Sequence, residues 1–199
     1  MTALVDGTAG IRRLLLRWRF GIGRWAVVVL AMPVLTLGVA AATGTLRTPV
    51  IGWGATGWGY LFATFVSGAL AVNLAEETAW SGFVQTRLAG RHGLLKGALL
   101  TAPLFAAMHL PLQFTPGWTG PDVAIGAAAL LVMTPFFRYL MGDLLASTGG
   151  SLLATGIAHA SFNAANELGL VGNWQALPAL AVLVAALAVT RRAAQHRRT

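Results

Sequence analysis

Two adjacent carboxylates, Glu76 and Glu77, stand in an apolar run that holds no other charge between Phe62 and Trp80. A charge at the centre of a bilayer costs roughly 2.5–3.5 kcal/mol on insertion scales, so acids kept there call for polar partners. The ionisable groups inside other apolar stretches are His109 and His159, with Asn73, Asn163 and Asn166 as further strong hydrogen-bonding groups. Glu76 and Glu77 lie about 100° apart around a helix, which gives them different partners. His159 and Asn163 are four residues apart and share a helical face, as do Phe105 and His109; Asn166 continues the face of His159. A carboxylate and an imidazole can together activate water, the acid taking the proton and the ring orienting the nucleophile. A second imidazole and a side-chain amide can donate hydrogen bonds to a developing oxyanion. Such a set suits hydrolysis of an amide without a covalent intermediate. The competing readings are a helix–helix hydrogen bond for a single histidine and a proton or cation path for the glutamates. A transporter, however, would often carry visible halves or a second acidic site, and neither is present.

The elements that must bring these residues together are membrane spans. The 199 residues are 56% hydrophobic and 10% charged, with a mean hydropathy of +0.70; soluble domains carry about 25% charge. Apolar stretches lie at about 25–42, 60–88, 93–110, 123–139, 152–168 and 174–189. The expected fold is all-α, a polytopic transmembrane helical bundle of about six spans plus an N-terminal interfacial helix. The domain plan is a basic segment over 1–24, one bundle over 25–190 and a basic tail over 191–199. At 1.5 Å per residue, Glu76 falls roughly 17 Å from the basic loop at Arg87, His109 roughly 20 Å from Lys96, and His159 at most roughly 24 Å from Asp143. Three spans thus carry their ionisable groups at similar depth, and bundling makes one polar pocket. Ser151, after Ser147-Thr148-Gly149-Gly150, reads as the N-cap of the fifth span. Gly52-Trp53-Gly54 and Trp58 read as an interfacial tryptophan belt rather than a gate.

Charge placement gives topology. Net charge is +8. Basic residues cluster before the first span, in the 87–96 loop and after the last span. They are absent from 111–121 and 169–173, with Arg138 counted at the end of the fourth span. The positive-inside rule then puts both termini in the cytoplasm, Arg47 alone being on the other side. The basic termini suit anionic lipid headgroups, and no nucleic-acid partner is expected. The first span also has a signal-peptide layout, but the polytopic remainder favours a retained span. With no cysteine there is no disulfide, thiolate metal site or cysteine nucleophile.

Glu76-Glu77 followed by Trp80-Ser81-Gly82, then Phe105-x-x-x-His109, then His159-x-x-x-Asn163 preceded by Thr148-Gly149-Gly150-Ser151-Leu152, resemble the three motifs of the CPBP intramembrane proteases. These are also called the Abi or CAAX-prenyl-protease-2-like family. The likeness covers about residues 60–168, and the family pattern is Glu-Glu-x-x-x-Arg, Phe-x-x-x-His and His-x-x-x-Asn or Asp. The resemblance implies an intramembrane endopeptidase in which Glu76 and His109 activate water and His159 and Asn163 form the oxyanion site. Glu77, Ser81, Asn73 and Phe105 would support them. The family has been described as metal-dependent and as a metal-free glutamate protease. Zinc on one Glu and two His is conceivable, but there is no His-Glu-x-x-His, so no metal or other cofactor is expected. Composition looks bacterial, which implies a plasma-membrane location and a membrane-associated bacterial peptide or protein as substrate rather than a prenylated CAAX protein. One departure stands out: where the family has arginine, this chain has Ser81. Glu77 must then be protonated or find another donor, with Asn73 nearest in sequence and Trp80 and Arg138 as others. The same departure keeps an alternative open, an inactive protein of this fold acting as a scaffold, immunity or regulatory factor.

Overall fold

The computed structural model describes residues 21–47, 52, 54–114, 119–168 and 174–196, and the regular elements among them are helices. In chain order these are α1 (Ile22–Ala42), α2 (Ala55–His92), α3 (Leu94–His109), α4 (Gly120–Ser147), α5 (Leu152–Asn166) and α6 (Ala176–His196). A 3-10 turn, Leu110–Gln113, prolongs α3. An all-α membrane bundle is what the hydropathy requires, because only a helix satisfies its own backbone in lipid.

Six helices form, but the count of spans differs from the expected six. Four of them, α1 to α4, are long and apolar enough to cross a membrane, α3 together with its 3-10 turn. α5 has 15 residues, about 22 Å of helix, short of the roughly 30 Å hydrocarbon layer. It packs against α1, α2, α4 and α6, and most of its residues are buried. Protein rather than lipid surrounds it, so it has no need of full membrane length. The apolar part of α6 is also short, Ala176–Thr190. Two other boundaries move. Arg24, at the end of the basic segment expected over 1–24, stands in the first turn of α1; residues 1–20 of that segment, and with them the expected interfacial helix, lie outside the described residues, as does the end of the basic tail. And α4 runs to Ser147, so Arg138 lies inside a helix and not at a membrane face.

α5 is set in place by small residues and by one repaired hydrogen bond. A Cβ on Gly156 would come within 3.0 Å of the Leu74 backbone on α2, and one on Gly82 within 3.1 Å of Leu152. Close backbone approach of this kind is the usual means of tight helix packing in membranes. Towards α1, the Ser161 hydroxyl donates to the carbonyl of Val29. That carbonyl would normally be served by the N–H four residues on, but residue 33 is proline and has none. Ser161 therefore fills the gap that Pro33 opens. The turn into α5 uses Gly149 and Gly150 at φ 67° and 90°, conformations that glycine adopts without strain. Ser151 then caps α5, its hydroxyl accepting from the Ala154 N–H at 3.2 Å, in keeping with its position in the sequence.

α2 is not uniform. Two π-helical segments, Gly68–Val72 and Trp80–Gln85, bracket the regular turn Asn73–Ala79 that bears both glutamates. Each π turn takes up an extra residue and rotates the helix beyond it, and such turns are frequent at functional sites.

Candidate active site

Glu76, His109, His159 and Asn163 line one cavity of about 220 Å³. Asn73, Phe105, Phe137 and Thr134 also form its wall. α2, α3 and α5 each bring their part, as matched depth requires; Asn166 is not among the lining residues.

The neighbouring acids are divided as their 100° separation predicts. Glu76 faces the cavity with its side chain 26% exposed. Glu77 is fully buried and faces Arg138, itself fully buried. Arg138 Nη1 donates to Glu77 Oε1 at 3.0 Å and Nη2 to Oε2 at 2.9 Å, a bidentate pair of the kind that guanidinium and carboxylate geometry favours. The donor that Ser81 fails to supply thus comes from another helix. Ser81 still takes part: Arg138 Nη2 donates to its hydroxyl at 2.6 Å, and that hydroxyl donates to Glu77 Oε2. Of the donors considered for Glu77, Arg138 is the partner.

The histidines are fixed through one nitrogen each. His109 Nδ1 meets the Phe105 carbonyl at 2.8 Å. A carbonyl only accepts, so Nδ1 carries the proton and a neutral His109 keeps its lone pair on Nε2. The ring also stacks on Phe105 at 4.1 Å between centroids, which is what the four-residue spacing of the pair provides. His159 Nδ1 donates to Glu77 Oε1 at 2.9 Å, with Glu76 Oε2 at 3.8 Å from the same nitrogen. Phe137 stands edge-on to the His159 ring at 4.8 Å. Each ring is held by its Nδ1 side, leaving Nε2 for chemistry.

Sequence alone offers Arg138 only as one of several donors for Glu77, and does not point to Gln85 or Gly142. Hydropathy puts Arg138 at a membrane face because the apolar window stops near it; an arginine within a span is itself a signal of function. Gln85 and Gly142, which hold Arg138, give no sequence signal. Among the described residues no three His, Cys, Asp or Glu side chains are placed to hold a metal ion.

A helical membrane bundle with a Glu-Glu turn, two histidines and an asparagine gathered on one cavity has the make-up of an intramembrane protease of CAAX type. The family model for type II CAAX prenyl endopeptidase Rce1-like proteins matches residues 53–165, over half of the chain, and the chain belongs to that family. A search of curated proteins found no match.

Proposed function

We propose that this protein is an active intramembrane endopeptidase that hydrolyses a membrane-associated peptide with water activated by Glu76 and His109. The observation that carries the proposal is the sharing of one cavity by Glu76, His109, His159 and Asn163, while Glu77 is occupied elsewhere. Glu76 is the accessible acid and takes the proton of a water whose second hydrogen bond goes to His109 Nε2. The carbonyl oxygen of the scissile bond, as it gains charge, is met by the Asn163 amide and by His159 Nε2. With Nδ1–H already given to Glu77, donation from Nε2 is exercised by the imidazolium, and Glu77, which keeps its charge throughout, stands beside it as the counter-charge. The proton on Glu76 then goes to the leaving amine, so the cycle closes with Glu76 ionised again and Glu77 unchanged throughout.

No resident metal is part of this reading, and the substrate is read as a bacterial membrane peptide or protein. The inactive alternative rests on Ser81; with Arg138 on Glu77, that residue no longer favours it. The test is cleavage of a membrane peptide library by the purified protein in liposomes. Parent should cleave and survive exhaustive chelation, while Glu76→Gln and His109→Ala should each lose about 10²–10⁴ in kcat. Equal cleavage by all three sinks the protease reading. Loss on chelation with recovery on zinc would make the histidines ligands instead.

A further inference from the structure

We propose that Arg138, Gln85 and Gly142 form a positioning unit that sets the His159 ring from outside the cavity, acting through Glu77. This rests on the reading of the cavity as the hydrolytic site. None of the three lines the cavity, so none is a catalytic residue.

The case begins with the lone pairs of Glu77. An ionised carboxylate has about four acceptor positions. Oε1 takes Arg138 Nη1 and His159 Nδ1; Oε2 takes Arg138 Nη2 and the Ser81 hydroxyl. Every position is used, so Glu77 cannot turn towards the cavity, and His159 is oriented only as well as Glu77 is. Glu77 in turn is oriented by the guanidinium, which supplies two of its four donors.

The guanidinium is itself clamped. Arg138 Nε donates to Gln85 Oε1 at 3.2 Å, and Gln85 Nε2 donates back to the Arg138 carbonyl at 2.7 Å. One amide therefore grips both side chain and backbone of the same residue. The guanidinium also lies over the Phe105 and Phe137 rings, at 4.9 and 5.5 Å from their centroids, and those rings border His109 and His159. Gly142, four residues beyond Arg138, makes room for the clamp. A Cβ there would fall 2.2 Å from Gln85 Nε2 and 2.8 Å from a Leu94 methyl, so even alanine displaces Gln85. A chain of direct contacts thus runs Gly142, Gln85, Arg138, Glu77, His159, with only its last member in the cavity.

The test uses the full chain in liposomes with four variants. In Arg138→Ser, kcat per folded molecule should fall about 10²–10⁴-fold, between the loss of an outer partner and a wrong tautomer, with KM changed little. In Gly142→Ala the fall should be about 10–100-fold. The exchange variant Ser81→Arg with Arg138→Ser keeps the same residues in the core and returns a guanidinium to within reach of Glu77, because Ser81 Oγ already sits 2.6 Å from the present one. It should regain at least about a tenth of parental kcat, on the order of one full pair restored. Parental kcat in Arg138→Ser or Gly142→Ala overturns the proposal, as does an exchange variant that melts like the parent yet is no more active than Arg138→Ser. Glu76→Gln is the control: cleavage unaffected by it, or none by the parent, counts against the protease reading instead. The readout in that event is the ¹⁵N spectrum of His159. A single Nδ1 signal hydrogen-bonded to Glu77 is expected in the parent, and loss or heterogeneity of that signal in Gly142→Ala and Arg138→Ser; spectra unchanged in both overturn the unit.

Discussion

All of the acceptor positions of Glu77 are filled by three buried partners, Arg138, Ser81 and His159, whereas Glu76 touches the cavity. Amide substitution at the two acids should therefore fail in different ways. Glu76→Gln should lose about 10²–10⁴ in kcat while leaving the melting temperature near that of the parent. Glu77→Gln removes the charge that Arg138 faces, and breaking a buried pair from one side costs about 3–5 kcal/mol. A thermal melt in detergent beside a kcat measurement separates them, and matching losses of stability in the two variants would contradict the division of labour. The acids and both histidines are legible in the sequence because an ionisable group inside an apolar run is costly and so conspicuous. Ser81 is conspicuous for the opposite reason, as a missing charge. Its replacement is legible only as one candidate among several: Arg138 lies 61 residues from Glu77, and the packing of α4 against α2 is what selects it over Asn73 and Trp80. Gly142 matters through what a Cβ would strike, which no spacing rule encodes.

On the scale of elements, α5 carries His159 and Asn163, so whatever docks α5 sets the site. The Ser161 bond to the Val29 carbonyl is informative because its value depends on Pro33. With proline at 33, Ser161→Ala leaves that carbonyl without a donor, at a cost of about 1–3 kcal/mol. With Pro33→Ala the N–H of residue 33 can serve the same carbonyl, and removing the hydroxyl should cost less. The double-mutant cycle should show a coupling of about 0.5–3 kcal/mol, measured by denaturant unfolding in mixed micelles. Additive effects would mean that the serine does not repair the proline break. Helix positions and the Ser151 cap are readable from apolar runs and turn residues. The π turns around Glu76 and Glu77 are not, because a single extra residue leaves the hydrophobic pattern almost unchanged. The length of α4 escapes for a related reason: a hydropathy window ends at Arg138, but the backbone hydrogen bonds do not.

For the molecule as a whole, the remaining issue is which way it sits in the membrane. Arg24 at the start of α1 donates to the Ser147 carbonyl at the end of α4 at 3.4 Å, and Gln175 before α6 donates to Thr45 after α1 at 2.9 Å. These contacts sort the helix ends into two faces. One has the start of α1, the α2–α3 turn, the α4–α5 turn and the end of α6. The other has the end of α1, the start of α2, the α3–α4 connection and the start of α6. Arg24, Arg87, Arg91 and Lys96 belong to the first face, and Arg191 and Arg192 lie in the closing turns of α6. Among the described residues the second face has Arg47, Asp122 and Glu167. Removing Arg138 from the face charges does not alter the asymmetry, since the loops around it still differ by several basic residues. The positive-inside rule then expects the first face in the cytoplasm. The absence of cysteine makes the test direct. Single cysteines at Arg91 and Ser147 should react with an impermeant maleimide only after the cytoplasmic side is opened. Cysteines at Leu46 and Phe114, both exposed, should react in intact cells. The reverse pattern would invert the protein. It would also move His109, which ends α3 next to the 3-10 turn before Phe114, from the outer side of the bilayer to the inner, and with it the side from which a substrate peptide meets the cavity.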